Sequence, residues 1–322
     1  MRILVTGGAG YLGSVIVEEL LRHKHEVTIL DNLKFNQLSL LNYTTNKRFK
    51  FVYGDVTDKP LLKELCSGVD VVIPLAAVVG FPACSKDPEL AERLNYQQIV
   101  DICEFTNGNA KILYPNTNSG YGVGESNQHC TEESPLNPIS HYGVTKVKAE
   151  EFLRTYTDAI CFRFATVFGS SPRMRMDLLV NEFVYKALTD KYIVVFEPHF
   201  KRNYIHVRDV ARVFTYMIDR FDKHKGNVYN VGLSDANLSK LELLHKIKQY
   251  IPDFAINTSD YYEDPDKRDY VVLNDKVEAT GWKPSYTIDD GIQELIKTYQ
   301  MIVPRLSSEF RNGFPLGYAN TL

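Results

Sequence analysis

Three things are missing from this chain of 322 residues: long apolar runs, paired cysteines and an excess of positive charge. The longest apolar stretch, VDVVIPLAAVVGF from Val69, is broken by Pro74 and falls short of the ~20 residues of a membrane span. The first residues, MRILVTGGAGYLGS, have neither the long apolar segment nor the small-residue cleavage site of a signal peptide. The cysteines at 66, 84, 103, 130 and 161 are odd in number, widely spaced and free of C-x-x-C. That argues against a disulfide scaffold and a zinc knuckle, so no metal site is expected. Lys and Arg number 37 against 40 Asp and Glu, a net charge of −3, which excludes a whole-chain nucleic-acid footprint. The expectation is a cytoplasmic protein with no membrane and no nucleic-acid partner. With 20 Tyr and 17 Phe the chain has ample apolar surface for a core, which excludes disorder.

What is present is an alternation. RILVT (2–6), EVTIL (26–30), FKFVYG (49–54), DVVIPLA (70–76), AKILYPN (110–116) and AICFRFA (159–165) read as strands. Helical patterns lie between them, at 10–23, 59–67, 87–107 and 138–157. Continuous apolar strands separated by helices imply a parallel sheet buried on both faces, an α/β fold of doubly wound Rossmann type. After about residue 170 the alternation weakens, and helical runs at 177–190, 207–221, 238–251 and 288–302 mix with the short strands IVVF and NVYNV. The predicted division is an NAD-binding domain over 1–170 and a smaller substrate domain over 171–322, with some later segments returning to the main sheet. The tail PRLSSEFRNGFPLGYANTL has no periodicity and is expected to dock loosely.

The first strand runs into Gly7, Gly10, Tyr11, Leu12 and Gly13, in which the glycines are spaced G-x-x-G-x-x-G. Missing Cβ atoms let backbone N–H groups approach a diphosphate, and the helix that follows adds its dipole. Asp31 ends the second strand 18 residues after Gly13, where an acid accepts ribose hydroxyls and disfavours a 2′-phosphate. NAD is therefore expected rather than NADP. Asn32, Asp55, Val56, Leu75, Ala76 and Ala77 sit at strand ends where the adenine and its ribose would lie, although Asp55 alone fits a turn aspartate equally well.

Tyr142-x-x-x-Lys146 puts a phenol and an ammonium on one helix face. A nearby cation favours phenolate, the form a general base needs; a solvated helix face would carry the same pattern. Thr117 ends the fifth strand, where a hydroxyl faces the crevice beyond the strand ends.

With TGGAGYLGS, GDV, LAA, NTNSGYG, YGVTK, RNYIHVRDVA, YNVG and GWKPSYTIDDGI in hand, the chain resembles the extended short-chain dehydrogenase/reductase family of nucleotide-sugar epimerases and dehydratases. The resemblance implies that Thr117, Tyr142 and Lys146 are the catalytic hydroxyl, base and lysine, and that Asn95 helps position the lysine. It also implies a homodimer through helices near 88–107 and 140–157. Pro74 departs from the family, where a histidine is common. Family members that dehydrate carry Asp-Glu after the catalytic Thr, but here those positions are Asn118 and Ser119. An amide and an alcohol cannot serve as that acid/base pair. The Cys and His of the 3,5-epimerases have no counterpart either.

The segment SPRMRMDLLVN (171–181), IPLAAVVG with Cys84 nearby, and EDPDKRDY resemble bacterial GDP-heptose C4-dehydrogenases of capsular polysaccharide biosynthesis. That likeness implies oxidation at C4, tightly held NAD(H), and a 2-oxo acid such as 2-oxoglutarate as the second oxidant. A 4-epimerase is the nearest rival, and a binding module without turnover the remote one. Arg173, Arg175, Arg202 and Arg268 are expected to hold the substrate diphosphate, with Asn118, Ser119 and Asn181 beside the sugar. Guanidinium groups suit bidentate phosphate contacts, though Arg173 and Arg175 fit a solvated surface equally. His206 reads as a core histidine rather than a catalyst.

Overall fold

The computed structural model describes residues 1–36, 38–122, 129–156, 158–259 and 269–302. The apolar runs form the expected strands: β1 (Arg2–Thr6), β2 (Glu26–Asp31), β3 (Phe49–Tyr53), β4 (Val71–Pro74), β5 (Lys111–Thr117), β6 (Ala159–Phe164) and β7 (Val228–Val231). Together they make one sheet in the order β7-β6-β5-β4-β1-β2-β3, with every pair parallel. β7 comes from the second half of the chain, so residues 228–231 return to the main sheet. The order reverses at β1, between β2 and β4. Side chains at the carboxyl ends of these strands therefore face a crevice at the switch point.

Helices cover both faces: α1 (Tyr11–Arg22), α2 (Lys59–Cys66), α3 (Gln98–Thr106), α4 (His141–Arg154), α5 (Val207–Asp219) and α6 (Ile288–Ile302). One apolar core joins β1, α1, α5 and α6, and a second lies between the sheet and α2, α3 and α4. β4 and β6 are buried throughout, as sheet-centre strands covered on both sides should be. Three small sheets pack beyond the main one, among them the parallel pair Tyr192–Phe196 and Ala255–Ser259.

The helix expected over 87–107 is two helices, Pro88–Glu92 and α3, joined by a π-helical turn at Arg93–Gln97. Asp87 caps the first by accepting from Leu90 N at 2.9 Å. His206 is fully buried: its Nε2 lies 2.6 Å from Glu294, and its ring stacks on Tyr286 at 4.5 Å. All five cysteines are buried free thiols. Among the described residues no helix is long and apolar enough to cross a membrane. The tail lies outside the described residues.

Candidate active site

A cavity of about 700 Å³ opens at the carboxyl ends of β1, β2, β4 and β5. Its floor is the β1–α1 turn. Gly7 has φ +69°, and a Cβ there would stand 2.6 Å from Ala76 N. A Cβ on Gly13 would stand 2.5 Å from the Gly7 carbonyl oxygen. Strand, turn and helix can pack this closely only without side chains. α1 is preceded by Gly10 with no side-chain cap and has no acid in its first turn, and Gly10 to Gly13 line the cavity, so the positive end of the helix stands there unneutralised. That end suits an anion.

Asp31 holds this turn in place. Its carboxylate accepts Ala9 N at 2.9 Å and Leu33 N at 2.8 Å. Burial raises its pKa, and those two hydrogen bonds oppose the rise. Each oxygen keeps one lone pair for a ribose hydroxyl. Asn32 Nδ2 donates to Asp55 at 2.8 Å, and Asp55 also accepts from Thr57, so Asp55 shapes its own loop as a turn aspartate does. Val56, Leu75, Ala76 and Ala77 complete a wall of small and apolar groups. The unneutralised helix end, the glycine cradle and the acid at the end of β2 all fit a dinucleotide.

Deeper in the cavity stand Thr117, Ser119, Tyr142 and Lys146. Ser140 caps α4 by accepting Gly143 N at 3.1 Å, which puts Tyr142 in the first turn and Lys146 one turn later. Lys146 is buried, with its ammonium 4.1 Å from the centre of the Tyr114 ring. Burial pushes its pKa down to about 7. Desolvation makes the charged form of Lys146 easier to discharge than that of an exposed lysine. Thr117 Oγ1 donates to Ser119 Oγ at 3.0 Å and accepts Ser119 N at 3.1 Å.

Asn95 lies behind the wall rather than on it. It accepts Val78 N at 2.9 Å and donates to Val78 O and to Thr145 Oγ1, both at 3.0 Å. It thus ties a wall residue to the helix position beside Lys146. Gln98, which the sequence did not single out, does the same for β1 and β4: it accepts Thr6 Oγ1 at 3.0 Å and donates to Ala76 O at 2.7 Å.

The expected substrate residues divide. Arg173, Arg175, Arg202 and Ser119 reach the cavity. Asn118 and Asn181 are off its wall and buried. Asn181 spends its amide on Gly169 N at 3.0 Å and Arg175 O at 2.7 Å, so it shapes a loop rather than touching a sugar. Arg175 holds Asp177 at 2.6 Å. Arg173 sits with its guanidinium 4.1 Å from the Phe35 ring, at the Asp31 end of the cavity. Arg268 lies outside the described residues. Phe35 also escaped sequence reading, because a phenylalanine in a loop carries no chemical signature.

A model of the NAD dependent epimerase/dehydratase family matches residues 3–232. The chain is 28% identical to the low-salt glycan biosynthesis protein Agl12 of Haloferax volcanii, over 93% of this chain and 98% of that protein. It superposes on a Thermus thermophilus UDP-glucose 4-epimerase solved with NAD, at TM-score 0.80 and 25% identity, covering 93% of this chain and 99% of that one. The Streptomyces venezuelae dTDP-glucose 4,6-dehydratase DesIV has the same fold, at TM-score 0.84 and 24% identity over 94% and 98% of the two chains. The chain belongs to the NAD dependent epimerase/dehydratase family, and NAD is its cofactor.

Proposed function

We propose that the chain oxidises the C4 alcohol of a nucleotide sugar without eliminating water. The observation that carries this reading is the pairing of what lines the cavity with what does not. Thr117, Tyr142 and Lys146 share it with the glycine turn, whereas Asn118 is buried off the wall and Ser119 is engaged with Thr117. The two positions that would carry a dehydratase's acid and base thus hold an inward amide and a hydroxyl tied to its neighbour. Of the other carboxylates on the wall, Asp177 is bound by Arg175 and Glu182 by Lys186, while Asp31 and Asp55 belong to the β2 and β3 ends.

NAD, when bound, supplies the hydride acceptor. Tyr142 as phenolate takes the proton of the C4 alcohol, and Thr117, turning its O–H away from Ser119 when substrate is bound, donates a hydrogen bond to the same oxygen. Lys146 holds a cofactor ribose hydroxyl and, when charged, favours the phenolate. Arg202 and Arg175 face the substrate's diphosphate. The substrate we propose is GDP-D-glycero-D-manno-heptose, with the reduced cofactor reoxidised in place by a 2-oxo acid. This rests on the likeness of SPRMRMDLLVN, IPLAAVVG and EDPDKRDY described above. The proposed assembly is a homodimer through 88–107 and 140–157, supported by exposed Ile139 and Val144 beside and on α4.

The 28% identity to a glycan biosynthesis protein supports sugar chemistry of this class, and the Thermus likeness favours a second reading, 4-epimerisation by the same three residues. Incubating the purified protein with GDP-heptose, with and without 2-oxoglutarate, separates them. A 4-keto product that accumulates only with the keto acid is expected. Interconversion of two epimers with no oxidant would replace the dehydrogenase by the epimerase.

A further inference from the structure

β5 and α4 interlock through two pairs of side chains. Tyr114 and Asn116 are two residues apart on β5 and so leave the same face of the strand. Lys146 and Glu150 are four apart on α4 and so share a face of the helix. The pairs meet in register: the Tyr114 hydroxyl donates to Lys146 O at 3.3 Å, and Asn116 Nδ2 donates to Glu150 at 2.6 Å. Two strand residues rise about 6.6 Å and one helical turn about 5.4 Å, close enough for both contacts to form.

Tyr114 touches Lys146 a second time. Its ring is wholly buried, and the Lys146 ammonium stands 4.1 Å from the ring centre. Lys146 is itself buried, at the cavity wall. A buried ammonium is costly unless an opposite charge or a dipole meets it. Among the described residues no carboxylate pairs with it, and Glu150, one turn further along α4, is taken by Arg163 at 2.6 Å. The ionisable neighbours of Lys146 are the thiols of Cys161 on β6 and of Cys84, the Tyr114 phenol, and Tyr142 one turn earlier on α4. Burial holds both thiols and the Tyr114 phenol un-ionised at neutral pH. What the ammonium meets is therefore the electron-rich face of a ring.

That choice has a chemical consequence. A carboxylate would occupy the N–H groups of the ammonium and cancel its charge. A ring face attracts the charge but offers no lone pair, so N–H groups stay available to a ribose hydroxyl and to Tyr142. We propose that Tyr114 is a positioning residue for the reaction: its ring face keeps the Lys146 ammonium charged and in place at the cavity wall, where an acid would have neutralised it. This deepens the proposed function. It rests on the roles given there to Tyr142 and Lys146 and not on the identity of the sugar.

The test varies the charge of the ring while keeping its shape. Tyr114 is replaced by phenylalanine and by mono-, di- and trifluorinated phenylalanines in the full-length protein with NAD bound, since each fluorine weakens the negative face of the ring. Lys146 is titrated through carbon-13-labelled lysine Cε signals, its own signal being the one lost in Lys146→Met. Its pKa is expected to fall stepwise, by about one pH unit from phenylalanine to the trifluoro ring. Above that pKa one pH unit leaves a tenth of the ammonium, so turnover of GDP-heptose with 2-oxoglutarate should fall about tenfold over the series and its alkaline limb should move to lower pH, with KM for the sugar changed less than about twofold. Tyr114→Phe, which loses only the hydroxyl, should keep at least about a third of wild-type turnover. Tyr114→Leu removes the face and should lower the pKa at least as far as the trifluoro ring; should that variant not fold, the nearly isosteric fluorine series decides alone. A Lys146 pKa that stays constant across the series would show that the ring serves packing only and would overturn the proposal. A pKa that falls while turnover holds would overturn the part of Tyr114 in the reaction, together with the role given to Lys146. A wild-type protein inactive on GDP-heptose would overturn the sugar alone, because the lysine titration needs no sugar.

Discussion

The two ends of the cavity are built in different ways. The floor is contiguous chain: β1, the glycine turn and α1, with Asp31 one strand away. The rim and the substrate side are assembled from segments more than a hundred residues apart, as in Ser14 with Ser171 and Phe35 with Arg173. In the floor, geometry follows from residue type at fixed spacing, because a missing Cβ acts where it stands. At the rim it follows from which loops the fold brings together, and no spacing in the sequence encodes that.

Changes at the chemical centre should have the largest effect. Tyr142→Phe should lower turnover by at least about a hundredfold while the protein keeps its NAD, measured by single-turnover kinetics and by the nucleotide released on denaturation. Near-native turnover would mean that another group takes the proton. In the contiguous floor, Gly13→Ala should abolish NAD retention, since its Cβ would fall 2.5 Å from the Gly7 carbonyl oxygen. Nucleotide content and melting temperature would report it together. A variant that keeps full NAD occupancy would show the floor to be more yielding than its contacts suggest.

The third prediction concerns the long-range side. Glu150 is wholly buried; it accepts Arg163 Nη2 at 2.6 Å and Asn116 Nδ2 at 2.6 Å, which ties α4 to β6 and to the residue before Thr117. Glu150→Ala should destabilise the fold by about 3–5 kcal/mol in denaturant unfolding, because it strands a buried guanidinium. A loss below about 1 kcal/mol would mean that the network is not holding the two catalytic elements together.

Smaller effects should appear with pH, in two separate windows, and in both of them stability rises with pH. Lys146 has a folded pKa near 7, below its ordinary value of 10.5. The unfolded chain therefore binds more protons between those values, and stability of the cofactor-free protein rises with pH across that window. Lys146→Met should raise the melting temperature more at pH 6 than at pH 10. Glu294 is held down to about 2 by His206 and the Ser170 amide, against the pull of burial. Its contribution is present above pH 4.5 and is lost as pH falls towards 2, so Glu294→Gln should flatten the acid limb of a stability profile.

The same contrast explains what could be read in advance. The strands of the main sheet fall within a residue or two of the apolar runs, because buried parallel strands cannot be anything but apolar. All the glycines, acids and small residues expected at the cofactor end line the cavity, apart from Asn95 behind it. The polar side chains expected at the sugar fared differently. Asn181 was consumed by backbone groups of its own loop, a choice set by local hydrogen bonding that residue type does not reveal, and Asn118 is buried off the cavity wall. Arg173 fitted a diphosphate contact or a solvated surface equally in the sequence, and only the folded loops bring it to Phe35.

The π-helical turn at Arg93–Gln97 bears on how this site can change over generations. One residue added to an α-helix rotates everything after it by about 100°, and that rotation lets Asn95 meet Val78 and Thr145 while Gln98 meets Thr6 and Ala76. Point substitutions leave such a register untouched. A single deletion between 93 and 97 would restore the regular helix and turn one amide away from its partners. The turn should thus tolerate substitution, Asn95 apart, far better than the loss of a residue, and the wall behind the cofactor depends on that asymmetry.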